Sequence, residues 1–297
     1  MKKTLLASLM LACATGAGAT GLDPSGQDRA ISLEPVIVTA TRTPIDIGDS
    51  LSSVSVISRA DIERLQPVSI ADLLTGLPGV SFANAGGYGQ QTSLFLRGAN
   101  STHTLLLVDG VRVASVSAGL AAFEQIPVEQ IERIEIVRGP RSSLYGADAI
   151  GGVIQIFTRR GSRDGGLEPS LALTAGTDKL LRGQLGLSGG SEQGWYNLGA
   201  GSQYTGGINT CRVGAAAAFA GCFTDEPDRD PSRNKNLSAS GGYRWDNGAE
   251  LTGTWLRSLG EAHFDGSYQN RWRTVQQVAG STFGFRPLQA WKSTLSA

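Results

Sequence analysis

The chain has 297 residues, 40 of them glycine, with 18% charged residues and a formal net charge of zero. That balance gives no reason to expect a nucleic-acid partner, and the glycines lack the period of three that collagen needs. A chain so rich in turn residues favours sheets over helix bundles.

The N-terminus reads as a secretory leader, residues 1–19. Lys2 and Lys3 supply positive charge, Leu5 to Ala14 is a short apolar run, and Ala17-Gly18-Ala19 is a small-residue cleavage pattern with the cut after Ala19. The run is too short for a membrane anchor. A lipoprotein reading through Leu11-Ala12-Cys13 suffers from Met10, a poor fit three before the cysteine. No other stretch reaches ~18 apolar residues, so any membrane span has to be made of strands. Export leaves Cys211 and Cys222 in an oxidising compartment, where a disulfide is the default.

Residues 20–33 lack periodicity and read as disordered, within a flexible segment that extends to residue 44. Glu34-Pro35-Val36-Ile37-Val38-Thr39-Ala40-Thr41-Arg42 is β-branched and strand-prone. It can be a segment that adds itself to the edge of a partner's sheet, or an ordinary edge strand of the next domain.

Residues 45–160 carry mixed signals. Val54 to Ile57 reads as a strand. Ser58-Arg59-Ala60-Asp61 and Ser69-Ile70-Ala71-Asp72 are capping boxes, opening helices to Leu65 and through Leu74. Strands follow at Leu94–Leu96, at Thr104–Val108 with an Asp109-Gly110 hairpin turn into Val111–Val113, at Ile131–Val137 and at Val153–Phe157. About 115 residues with both element types make a compact α+β domain.

Over residues 161–297 strict alternation takes over. Leu181, Gly183, Leu185 and Leu187 alternate with Arg182, Gln184, Gly186 and Ser188. Similar alternation runs through Tyr196–Tyr204, Leu237–Trp245 and, after the tight turn Asp246-Asn247-Gly248, Ala249–Trp255. Segments of ~10 residues with an apolar face, a polar face and aromatics near the ends are the pattern of a transmembrane β-barrel. A soluble sandwich also alternates, but rarely with so polar an inner face. The short turn at 246–248 and the long polar stretch Gly206–Asn234 fit the two sides of such a barrel. Gly186-Leu187-Ser188-Gly189-Gly190 fits a G-x-S-x-G nucleophile pattern, yet it ends an alternating strand instead of preceding a helix. His103 and His263 have no companions at metal-ligand spacing.

Leu94-Phe95-Leu96-Arg97-Gly98, Leu107-Val108-Asp109-Gly110-Val111-Arg112 and the long run from Ile134-Glu135-Ile136-Val137-Arg138-Gly139-Pro140 to Gly151-Gly152-Val153-Ile154 together resemble the plug of TonB-dependent outer-membrane receptors. Among these they are most similar to the cobalamin-receptor branch. The resemblance covers roughly residues 34–297. It implies a monomer in the outer membrane of a Gram-negative bacterium, with an α+β plug and a barrel of about 22 strands, of which this chain holds the first antiparallel ones. It implies active uptake of a bulky ligand, with no catalysis and no redox or nucleotide cofactor. Glu34, Pro35, Val36, Ile37, Val38, Thr39, Ala40 and Thr41 resemble the TonB box, an exposed main-chain handle for the inner-membrane protein TonB.

The same resemblance marks Gln91, Ser93 and Asn100 in one plug loop, and Ser117 and Ala118 in another, as cobalamin contacts. Gly86-Gly87-Tyr88-Gly89 beside the first loop would let backbone approach a ligand closely. Asp225, Glu226, Asp228 and Asp230 crowd four carboxylates into six residues, a set that a calcium ion relieves. The resemblance implies calcium ligands at Asn209, Glu226, Asp228, Asp230 and Asp265. Asn209 stands where the family has a carboxylate, and Pro231 and the cysteine pair are further departures. Competing ligand readings are an iron-siderophore or haem; a secreted β-rich enzyme is the alternative from another class. With strands of ~9–11 residues, positions 167–297 hold about seven or eight. That is too few to close a lumen around the plug, so the expectation is a truncated chain, from a fragment or a disrupted gene.

Overall fold

The computed structural model describes residues 36–115, 119–162, 165–210, 227–266, 268–288 and 291–297. The leader, Glu34, Pro35, Ser117, Ala118, Asp225, Glu226, Cys211 and Cys222 lie outside them, so the leader and disulfide readings do too.

The N-terminal half is an α+β domain. Strand β1 (Val36–Ile37) pairs antiparallel with β2 (Ile45–Asp46). Strand β3 (Ser53–Ile57) leads into α1 (Arg59–Leu65) and α2 (Ile70–Leu74). Both helices start where the capping boxes predict. Ser58 accepts the Asp61 N–H while the Asp61 carboxylate accepts the Ser58 N–H, and Ser69 and Asp72 repeat the exchange. Helix α1 stops at Gln66, whose left-handed φ of 47° cannot continue a helix. A hairpin of β4 (Val80–Asn84) and β5 (Thr92–Leu96) follows. Then come β6 (Thr104–Val108), β7 (Val111–Arg112), β8 (Ile131–Arg138), α3 (Ser142–Tyr145) and β9 (Gly152–Thr158).

Five of these strands form one sheet in the order β3-β8-β9-β6-β7, with β6 and β9 parallel and the other pairs antiparallel. The Asp109-Gly110 turn joins β6 to β7 with both residues at positive φ, and the Asp109 carboxylate accepts the Thr158 N–H and O–H at 3.0 and 2.5 Å. One sheet face presents Leu106, Val108, Ile134, Ile136, Ile154 and Ile156 to Ile62 of α1, to Ile70, Leu73 and Leu74 of α2 and to Leu94 and Leu96 of β5. Each such burial stabilises by roughly 1.5–3 kcal/mol. The other face is covered as well: Leu105, Leu107 and Val153 pack with Ala149 and Tyr145, and Val137 packs with Ile37 and Ala40. Alternation along β8 therefore separates two covered faces, not a dry one from a wet one.

The C-terminal half is a seven-stranded antiparallel meander: β10 (Gly166–Ala175), β11 (Leu181–Gly190), β12 (Gly194–Thr205), β13 (Ser232–Arg244), β14 (Glu250–His263), β15 (Arg271–Leu288) and β16 (Trp291–Ser296). The register lines up rows of one chemistry. Leu187, Leu198, Ala239, Trp255 and Ala279 stand opposite one another across five strands, and the neighbouring row is Ser188, Asn197, Ser240, Thr254 and Gly280. The sheet is inside out relative to a water-soluble protein. Leu171, Leu181, Leu185, Leu198, Leu237 and Val275 are exposed, whereas Gln184, Ser188, Asn197, Asn236, Ser258 and Gln276 are buried. Aromatic side chains cluster beside the short turn at 246–248, where Tyr243 meets Trp245 at 5.2 Å between ring centroids and Trp245 meets Phe283 at 6.2 Å. An apolar outer band rimmed by aromatics suits lipid, not water. No helix among the described residues is long and apolar enough to cross a membrane.

Candidate functional site

Two places bring polar groups together. The first is where the strand-prone N-terminal segment meets the domain. Its described part, Val36–Thr41, is folded down on the domain, not held out as an exposed handle. Ile37, Thr39 and Ala40 are buried. The Glu135 carboxylate of β8 explains why. Its Oε2 accepts the N–H groups of Val38 and Thr39 at 2.9 and 2.8 Å and the Thr39 hydroxyl at 2.6 Å. Arg133 Nε donates to the other oxygen at 3.0 Å, and Glu135 has no exposed surface. A buried carboxylate is costly unless it is hydrogen-bonded, and here the segment itself supplies most of the donors. Tyr145 closes the far side: its O–H donates to the Thr39 carbonyl at 3.0 Å, under the Arg42 guanidinium at 4.6 Å from the ring centroid. Burial pushes the Tyr145 hydroxyl above its ordinary pKa.

The second place is a cavity of about 520 Å³ between the domain and the sheet. On the domain side it is lined by Asp72, the glycine loop Gly86–Gly89 and the turn from Phe123 to Glu129. On the sheet side it is lined by Arg182, Gln184, Thr205, Asn234 and Glu261. The sheet residues lie at the end that carries the long connection after β12. Ties beside the cavity fix the domain to the sheet. Arg182 forms an ion pair with Glu129 at 2.7 Å, their side chains 9% and 17% exposed, and donates to the Pro67 carbonyl at 3.1 Å. Asn234 Nδ2 donates to Gln125 Oε1 at 2.8 Å and the Gln90 amide donates to the His263 carbonyl; farther along β13, away from the cavity, Ser240 donates to the Arg159 carbonyl at 2.9 Å. Glycine makes room for these contacts. A Cβ on Gly260 would fall 2.2 Å from Gln125 Oε1, and one on Gly199 would fall 2.0 Å from Gln130 Nε2.

Glu124 sits in the cavity lining on a 3-10 turn (Phe123–Gln125) whose other two side chains are buried. Its carboxyl accepts the backbone N–H groups of Glu124 and Thr92, while Oε2 is buried with no hydrogen-bond partner. Burial pushes its pKa up to about 7.

The sequence-derived ligand positions fall elsewhere. Gln91 and Asn100 are exposed and Ser93 is half-buried. None of the three lines the cavity, whereas their neighbours Gly86–Gly89 and Thr92 do. Asn100 caps a 3-10 turn, its side chain accepting the Thr102 N–H at 3.2 Å. In the expected calcium set, Asp230 is buried and Oδ2 accepts the Thr210 N–H and O–H at 3.0 and 2.6 Å. Among the described residues no three His, Cys, Asp or Glu side chains converge as a metal site, so Asp228, Asp230 and Asp265 do not form one by themselves. Ser188, of the nucleophile-like pattern, lies within β11 with no turn into a helix. Glu124, Glu135 and Arg182 were not singled out by sequence. Each reads as an ordinary charge on a strand or loop until its partners are known.

The family model described as TonB-dependent Receptor Plug Domain matches residues 46–153. A protein named Vitamin B12 transporter BtuB from Photobacterium profundum is 34% identical over 274 residues, 90% of this chain and 41% of that protein. Its namesake from Vibrio cholerae serotype O1 is 41% identical over 179 residues, 59% of this chain and 29% of that protein. Among solved structures, the ferric enterobactin receptor of Pseudomonas aeruginosa superposes with a TM-score of 0.62 at 23% identity, over 82% of this chain and 40% of that one. The ferripyoverdine receptor of the same organism gives 0.68 at 15% identity, over 88% and 35%. These two show the shared fold. The chain spans less than half the length of the relatives it matches.

Proposed function

Because the chain belongs to the TonB-dependent receptors, a family of receptors and not of enzymes, we propose that it forms the plug and first wall strands of an outer-membrane receptor for the active uptake of cobalamin. The observation that carries the reading is the inside-out sheet seated on the plug: an apolar outer face for lipid, and a polar, glycine-lined inner face on which the plug rests. Support for cobalamin over iron-siderophores or haem comes from the relatives' names, at 34% and 41% identity.

The reading gives the energy-coupling role to Glu34–Thr41 as the segment TonB takes hold of. The outer membrane has no ATP or ion gradient of its own, so work has to enter through such a segment. In its docked form the segment contributes to the plug's fold; its release from Glu135 frees the main chain for pairing with a partner strand. Gln91, Ser93, Asn100, Ser117 and Ala118 are the proposed ligand contacts of the plug loops. Calcium belongs to the same reading, with Asn209, Glu226, Asp228, Asp230 and Asp265 as oxygen donors. Since Asp230 already holds Thr210, the ion has to draw the long connection together, and calcium titration of the purified receptor tests this. A Cys211–Cys222 disulfide would pre-order the same connection.

The deciding experiment places the receptor in a Gram-negative strain that lacks its own cobalamin receptor. Cobalamin-dependent growth is the expected result, and deletion of Glu34–Ala40 should abolish uptake while leaving surface binding intact. Growth on a ferric siderophore or haem instead would replace the ligand, and uptake surviving the deletion would remove the box assignment.

A further inference from the structure

The titratable groups that line the plug–wall cavity differ in how they are held. Asp72 is engaged by the N–H groups of Val68 and Ser69. Glu129 is paired with Arg182, Asp178 with Arg229, and Glu261 with Arg273 and, more distantly, Arg271 and His263. Arg233 stands opposite Glu261 in register and over the Tyr204 ring. Tyr88, from the glycine loop, is the remaining titratable group in the lining. Among the described residues Glu124 forms no ion pair, and its Oε2 is buried with no hydrogen-bond partner. Elements α2, β5 and β14 pack against its turn, and Asn234 of β13 donates to Gln125 within it. They bring Asp72, Arg233 and Glu261 to the lining, each engaged by other groups, and none of the three forms an ion pair with Glu124.

We propose that this cavity is a subsite for an uncharged carboxamide arm of the transported ligand, and that the protonated Glu124 carboxyl receives it. A protonated carboxyl offers an O–H donor, which matches the oxygen of a primary amide. The O–H, on the unpartnered Oε2, donates to the amide oxygen, while the other carboxyl oxygen stays with the N–H groups of Glu124 and Thr92. An anionic arm would meet an unneutralised carboxyl, and a cationic arm would ionise it, so the site selects for neutral amides. Burial supports this state, because Glu124 holds its proton up to about pH 7. The volume of about 520 Å³ suits one arm with its water, not a whole bulky ligand. The inference rests on the cobalamin reading, since it needs an amide-bearing ligand.

The test is the affinity of the complete receptor, in outer-membrane vesicles, for cyanocobalamin at pH values on either side of about 7. Affinity should fall about tenfold as Glu124 loses its proton, the worth of one hydrogen bond with its donor lost. Glu124→Gln, a permanent neutral amide, should bind with little pH dependence, and Glu124→Ala should bind weakly throughout. Cyanocobalamin binding with a flat wild-type profile would overturn the Glu124 subsite and leave the cobalamin reading standing. So would a Glu124→Gln profile as steep as the wild type. No cyanocobalamin binding at any pH would overturn the cobalamin reading, and the subsite with it.

Discussion

Thr39 and Glu135, 96 positions apart in sequence, meet at 2.6 Å between hydroxyl and carboxylate, and two backbone N–H groups converge on the same oxygen. The contact is a latch: without the N-terminal segment Glu135 would keep only Arg133 as a partner, and without Glu135 two N–H groups of the segment would lose their acceptor. Hydrogen bonds to a charged group contribute about 1.5–3 kcal/mol each. Glu135→Ala is therefore expected to free Val36–Thr41 while leaving the plug core folded. A spin label at Val36 should gain mobility in the variant, and the latch fails if its spectrum stays that of the wild type.

Gly152 begins β9 with φ at 149°, and a Cβ there would lie 2.3 Å from the Val137 carbonyl oxygen. That oxygen is backbone in the neighbouring strand β8 and cannot swing away. Gly152→Ala should destabilise the plug by roughly 3 kcal/mol, in the range of severe steric substitutions. Thermal melting of the purified receptor and its amount in the outer membrane both report this.

The Arg182–Glu129 pair ties wall to plug almost out of water. Breaking such a pair from one side costs about 3–5 kcal/mol because a buried charge is left alone. Arg182→Met should loosen the turn from Pro127 to Gln130, measured by hydrogen exchange. Arg182→Met combined with Glu129→Gln should recover much of the protection. Equal exchange in the single and double variants would remove the pair from the account.

Leu185 points away from the plug near the middle of β11, while adjacent Gln184 is buried on the inner face. Leu185→Arg should lower membrane insertion by about 2–4 kcal/mol, as expected for a charge at mid-depth on the lipid face. Detergent refolding yields, compared with those of Gln184→Arg, separate the two faces: only the Leu185 variant should lose insertion through contact with lipid.

Local chemistry made much of the fold legible. Ser58 and Ser69 with their partners three residues on define helix starts, because capping is a contact within one turn. The alternation from Leu181 to Ser188 gave both the strand and its two faces, since period-two patterning needs no knowledge of neighbours. Strand β4 and helix α3 escaped notice, being short and without a distinctive pattern. The candidate sites were less legible. Val36–Thr41 carries the composition of an exposed pairing segment. What docks it is Glu135, about one hundred residues away, and no local signal reports that. Glu124 in Phe123-Glu124-Gln125 looks like a solvated loop acid. It is buried because Gly260 and Asn234, from strands much later in the chain, admit Gln125 beside it.

The order β3-β8-β9-β6-β7 has a mechanical consequence. The first strand of the five-stranded sheet is at its border, held by a single neighbour, and among the described residues before it come the two-residue ribbon of β1 and β2 and a short connection. Tension applied at the N-terminal end reaches the weakest pairings first, and each can yield without disturbing β9 at the centre. Unravelling from that side takes β3 off β8 first, and the β8–β9 pair, formed by the two strands latest in the plug, is reached last.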